Sequence, residues 1–108
     1  LYMFQGRYTP EALKAMVNSP QEREAAARGL IEAIGGKLHA MYFCFGQEDV
    51  VVIIEAPSDE AMAAGAMAVG ASGAMSGGAT TKLMTSAEAM KSMAQAKAAS
   101  ASYTPATG

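Results

Sequence analysis

FCFGQEDVVVIIEAP, residues 43 to 57, is the stretch whose reading decides the fold. An apolar run stops at Gly46. Gln47, Glu48 and Asp49 follow, and then a β-branched run, Val50 to Ile54, closes on Glu55 before Pro57. β-Branched side chains fit a pleated backbone and Pro cannot donate to a ladder, so Val50 to Ala56 is predicted to be a strand that Pro57 ends. Lys37 to Phe45 reads as the strand before it, joined by a tight hairpin over Gly46 to Asp49. Val50, Val52 and Ile54 share one face, and Val51 and Ile53 share the other. A strand apolar on both faces has to be covered on both. Glu55, an ionised carboxylate beside Ile53 and Ile54, has to find a partner.

Working outward, Tyr2 to Tyr8 alternates and predicts a first strand. Thr9-Pro10-Glu11 opens a helix that ends near Asn18: Thr caps, Pro takes the first helical position, and Glu faces the positive end of the dipole. Ser19-Pro20-Gln21-Glu22 has capping-box spacing and predicts a second helix start. Ala27, Leu30, Ile31 and Ile34 form its inner stripe, Glu24 and Arg28 can pair on its outer face, and Gly35-Gly36 ends it. Beyond Pro57, Ser58-Asp59-Glu60 starts a third helix through Met62, Met67 and Val69. That helix loosens at Gly70 and Gly73. Thr80 to Met84 is a weak fourth strand. Thr85 and Glu88 form a further capping box, opening a last helix with Met90, Met93, Ala94 and Lys97. The order β-α-β-β-α-β plus a terminal helix, with right-handed crossovers, predicts a ferredoxin-like α+β fold. Its four antiparallel strands would lie in the order 4-1-3-2, with helices on one face. Residues 1–99 make one domain, and 100–108, rich in Ser, Ala and Thr, a loose tail.

Composition points the same way. The chain has 108 residues, 51% hydrophobic but only 6% aromatic, with no Trp and nine Met. Such a core is thin for its length, so a second chain is expected to supply burial, through a sheet-to-sheet dimer that covers Val51 and Ile53. A net charge of −2 and the lack of a basic stripe exclude nucleic acid. The uncharged run from Ala61 to Thr81 is long enough for a bilayer, but Ala, Gly, Ser and Thr dominate it, so no membrane span is expected. One Cys and no evident signal peptide place the protein in the cytoplasm.

The segment GGKLHAMYFCFGQEDVVVIIEAPSDEA, with the helix SPQEREAAARGLIEAIGG, resembles the GYD domain family. These are small bacterial and archaeal proteins grouped with the dimeric α/β-barrels. The resemblance runs from the first strand through Thr85. The family's Gly-x-Tyr-Asp turn is Gly46-Gln47-Glu48-Asp49 here, with Glu48 at the Tyr position. The resemblance implies a ferredoxin-like fold that pairs sheet to sheet. It implies no particular reaction, because the family as a whole has none assigned.

Strand alternation sorts the candidate site residues. Met3, Gln5 and Arg7 share a face of the first strand, and Lys37, His39, Met41 and Phe43 a face of the second. Asp49, Val51, Ile53 and Glu55 share one on the third, and Thr80 and Lys82 one on the fourth. Antiparallel order brings Arg7 towards Asp49, and Glu55 towards His39, Lys37 and Lys82. A three-residue loop puts His39 opposite Glu55; a two-residue loop puts Ala40 there, with Tyr42 next along that face. Read as chemistry, His39 is a base or proton shuttle, Glu55 orients it, and Arg7 anchors an anion. Gln5, Lys37, Tyr42, Asp49 and Lys82 then line a ligand pocket between two sheets. Read as assembly, the same groups are paired charges at an interface rim. His39, Glu55 and Asp49 lack metal-motif spacing, and no bound cofactor is called for. Cys44, between Phe43 and Phe45, reads as an inert thiol. Two functions stay open: a self-associating binding or assembly module that uses the sheet face, or a cofactor-free enzyme acting on a small molecule.

Overall fold

The computed structural model describes residues 1–107; Gly108, the last residue of the expected tail, lies outside them. Strand β1 is Tyr2–Tyr8. Helix α1, Pro10–Asn18, begins where Thr9 Oγ1 accepts from the Ala12 N–H at 3.2 Å, with Pro10 in the first turn. Helix α2 is Glu24–Ala33, β2 is Lys37–Phe43 and β3 is Val50–Glu55. Helix α3, Asp59–Ala71, is capped by Ser58, whose Oγ accepts from the Ala61 N–H at 3.1 Å. Strand β4 is Met75–Lys82, and helix α4 is Ser86–Ala99. The Thr85 and Glu88 side chains each accept from the other's backbone N–H, at 3.1 and 2.9 Å, so the expected capping box forms.

The strands form one antiparallel sheet in the order β2-β3-β1-β4, the ferredoxin-like arrangement. Tyr2, Tyr8, Leu38, Val50, Val52 and Ile54 lie buried on one face, against Ile31 of α2 and Met62 of α3. Val51 and Ile53, on the other face, are only half-buried. No residue of α4 is buried. The radius of gyration is 17.9 Å and the longest dimension 59 Å, where a chain of this length packed as one body has a radius of about 13 Å. The helix stands away from the body and continues through one 3-10 turn, Ser100–Ser102, to an exposed Tyr103.

Four expectations need correction. Helix α2 starts at Glu24, not at Pro20, because Ser19 closes α1 by donating its N–H to the Ala15 carbonyl. The Glu22 carboxylate then caps the Glu24 and Ala25 N–H groups, at 2.7 and 3.2 Å. The hairpin loop is longer than two or three residues: the ladder closes at Phe43–Val50, and the Cys44 N–H adds one bond to the Asp49 carbonyl.

The third correction is the register. Neither predicted pairing occurs, since Lys37 faces Glu55, Ala40 faces Ile53, and a bulge absorbs His39 between them. The bulge splits the predicted face of β2. Met41 and Phe43 turn to the helices, and Phe43 stacks on Tyr8 at 5.9 Å. Finally, β4 spans Met75–Lys82, not Thr80 to Met84, so it takes in Gly77 and Gly78. Gly78 pairs with Gly6, and the Phe4 ring lies over both, close enough that a Cβ on either would meet it at 3.0 Å. The aromatic ring supplies the packing that these glycines lack.

Candidate functional site

The face of the sheet away from the helices is a shallow apolar field with polar groups at its two ends. Gln5 lies at its centre, between Val51 of β3 and Ala79 of β4. Met3 lies between Ile53 and Thr81, and Ala40 and Tyr42 extend the field across β2. Tyr42 is 68% exposed, whereas Met3, Gln5, Val51 and Ile53 are half-buried by their strand neighbours alone.

At one end, His39 Nε2 lies 3.0 Å from Glu55 Oε1, with Lys37 directly across the ladder from Glu55. The bulge leaves His39 without a ladder partner of its own, on the open face with Lys37 and Ala40, while Leu38 between them is buried in the core. The pair is exposed, 38% for His39 and 62% for Glu55, so water already screens it and its worth is small. In the single chain it is a hydrogen-bonded imidazole–carboxylate pair on an exposed part of the sheet.

At the other end, Arg7 Nη1 donates to the Gln47 carbonyl and Asp49 is engaged elsewhere. Asp49 Oδ2 accepts from the Tyr8 N–H at 2.9 Å, and its own N–H donates to the Gly6 carbonyl at 2.9 Å. Asp49 therefore clamps the hairpin turn to β1. Arg7 and Asp49 do not form an ion pair. Cys44, half-buried, donates its thiol to the Glu48 carbonyl at 3.2 Å, a further tie within the same turn.

Lys82 belongs to neither end. It lies opposite Tyr2, on the helix side of the sheet, and its Nζ is 2.9 Å from Asp59 Oδ1 at the start of α3. The Tyr2 hydroxyl donates to that same carboxylate oxygen, and Lys82 Nζ stands 5.9 Å from the Tyr2 ring. The Tyr2 hydroxyl bond, with Lys82 second, holds the Asp59 carboxyl below the usual carboxylate range. Asp59 in turn pushes Lys82 and Tyr2 up, through the same bonds. In the sequence Asp59 is a helix-start acid, and only tertiary pairing reveals that it joins α3 to the adjoining ends of β1 and β4. Lys82 thus ties α3 to the sheet and does not reach Glu55.

A concavity lies on the opposite side from His39 and Glu55, under α2 and α3, and mostly apolar side chains line it. Among the described residues no group of three His, Cys, Asp or Glu side chains gathers as metal ligands would. No helix among them is long and apolar enough to cross a membrane.

With the turn, the strand order and the capped helices in place, the family model for the GYD domain matches residues 2–94. The chain belongs to the GYD domain family. No curated protein and no solved structure matches it. In this GYD domain the turn's Asp49 does the clamping, and Glu48, at the Tyr position, contributes its carbonyl to Cys44.

Proposed function

We propose that this GYD domain is a self-associating binding or assembly module, in which two copies pair across the helix-free face of the sheet. The observation that carries the reading is that field of Met3, Val51, Ile53, Ala40 and Tyr42, contiguous across β1, β3 and β2, with charged groups only at its ends. A second copy suits it because one surface meets its own equivalent about a two-fold axis, so the apolar side chains around Gln5 meet their own equivalents and the two Gln5 amides can pair with each other. Four strands at about 4.8 Å spacing and about seven residues at about 3.4 Å make a flat footprint of roughly 450 Å². A stable interface takes about 800 Å² from each partner, so the sheet alone falls short. Helix α4 can make up the difference. It is about 21 Å long, and it is well capped although an isolated helix of this length is marginal in water. Met90 and Met93 stand 70% and 66% exposed on one side of it. The reducing cytoplasm suits the single thiol.

Light scattering at micromolar concentration tests the reading. A species at twice the chain's 11.1 kDa is expected, and a persistent single-chain mass would end it.

The hydrogen bond between His39 and Glu55 favours a second reading. Pairing two sheets would close solvent away from that pair and leave an acid–base couple at the edge of an inter-sheet chamber, able to move a proton on a small substrate without a cofactor. A ligand that shifts the ring resonances of His39 in the assembled protein would support it. Its absence across an unbiased ligand screen would leave assembly as the function.

A further inference from the structure

The sheet's helix side holds a cavity of about 270 Å³ between α2, α3 and strands β1 to β3, lined by Leu30, Ile31, Met62 and Val69 above and Phe4 and Val52 below. Small side chains create it: Gly65 is buried on the inner side of α3, and Ala27 and Ala66 line the walls without reaching across. An apolar cleft of this size leaves its lining without protein contacts on one side. Among the described residues Arg23 is the single charged group in the lining, and Tyr8 and Ser72 are the other polar side chains. Arg23 stands at the start of α2, half-buried, and one of its guanidinium nitrogens donates to Gln21 Oε1 at 2.9 Å. A guanidinium carries five N–H donors in a fork, so that bond leaves a free edge. The Tyr8 hydroxyl, buried with its ring, lies beside Arg23: burial pushes its pKa up and the guanidinium opposes that rise. Asp49 is bound to the Tyr8 backbone N–H, and Glu22 is bound to the N-terminal N–H groups of α2, so neither acid neutralises the free edge of Arg23 by hydrogen bonding.

We propose that this cavity binds a small apolar monocarboxylic acid, its tail between α2, α3 and the sheet and its carboxylate on Arg23 with the Tyr8 hydroxyl as second donor. The volume limits the tail. At about 270 Å³ the cavity lies at the small end of ligand sites, which fits a medium-chain or aryl-alkyl acid. The apolar lining excludes sugars and nucleotides, whose hydroxyls would go unpaired. Arg and a phenol at one end select an acid over the corresponding alcohol.

Octanoate is the probe, with octanol and butyrate for comparison, titrated into the full chain and followed by NMR. Octanoate should saturate at one per chain, its methyl group giving Overhauser contacts to the methyl groups of Met62 and Val69, while butyrate binds far more weakly. Arg23→Ala should weaken octanoate by at least roughly tenfold, the loss of a charge-assisted hydrogen bond, and leave octanol unchanged. Ala66→Leu should block both ligands while the circular dichroism stays native. Absence of saturable octanoate binding to the wild-type chain, or contacts to Val51 and Ile53 instead, would overturn the site. Equal binding of octanol and octanoate, unaffected by Arg23→Ala, would overturn the carboxylate assignment.

Discussion

Replacing Ile53 by Asp is the decisive test of the proposed assembly. Ile53 sits between Met3 and Ala40 at the middle of the open face and is half-buried by its strand neighbours alone. If a single chain is the whole protein, the new carboxylate keeps its water. The cost is then the loss of strand propensity and of part of one side chain's contacts, about 1 kcal/mol. If a second copy covers the face, the carboxylate loses its water and has no partner, and Ile53's apolar burial is also lost, which together cost several kcal/mol. Two-fold symmetry presents the substitution twice in one interface. At about 3 kcal/mol per copy, the dimer dissociation constant rises by roughly four orders of magnitude. The assay is light scattering over a dilution series, with thermal unfolding of each species alongside. The expected result is a folded or marginally folded single chain where the wild-type protein is a dimer. A variant that remains an assembled, normally stable protein would refute the reasoning and free the sheet face from the interface.

Three further outcomes follow from the geometry. The folded pKa of Asp59 lies below its unfolded value, so its bonds to Tyr2 and Lys82 stabilise the fold above the unfolded pKa, and that stability is lost as pH falls through the folded one; Asp59→Asn should flatten the acid limb of melting temperature against pH. Gly36→Ala should destabilise by about 1–3 kcal/mol in urea unfolding, because a Cβ there collides with the Glu55 carbonyl oxygen at the end of β3. A double-mutant cycle of His39→Ala and Glu55→Gln should return a coupling below about 1 kcal/mol in an Ile53→Asp single chain, as for exposed pairs, and a larger one in the assembled protein; an equally small value in the assembled protein would leave the pair outside the interface.

Most of the local signals in this chain held, the exceptions being the capping-box spacing at Ser19 and the bounds of the fourth strand. Val50 to Ile54 made a strand because β-branching acts on each residue's own backbone, and Thr9, Ser58 and Thr85 started helices because a cap needs only the next few N–H groups. Those two kinds of signal, in their order along the chain, were enough for the ferredoxin-like arrangement and for the sheet order. The pairing of His39 with Glu55 was legible too, since both sit near the ends of adjacent strands. Quantities that depend on more than one strand at once were not legible. The bulge at His39 answers to how β2 fits β3 as a whole, and a shift of one residue exchanges faces, so Met41 and Phe43 went to the helices instead of the open side. The glycines of β4 carry no strand preference of their own and became a strand only where the Phe4 ring could lie over Gly78 and Gly6. Arg7, Asp49 and Lys82 found partners set by tertiary packing: the hairpin carbonyl, the backbone of Tyr8, and Asp59 at the start of α3. The sequence by itself determined most of the strands and helices, though not the start of α2 or the extent of β4, because those preferences act on each residue's own backbone. Only the folded sheet decided which side chains met, because a hydrogen-bond partner is chosen by distance in space and the register that sets that distance is a property of the whole ladder.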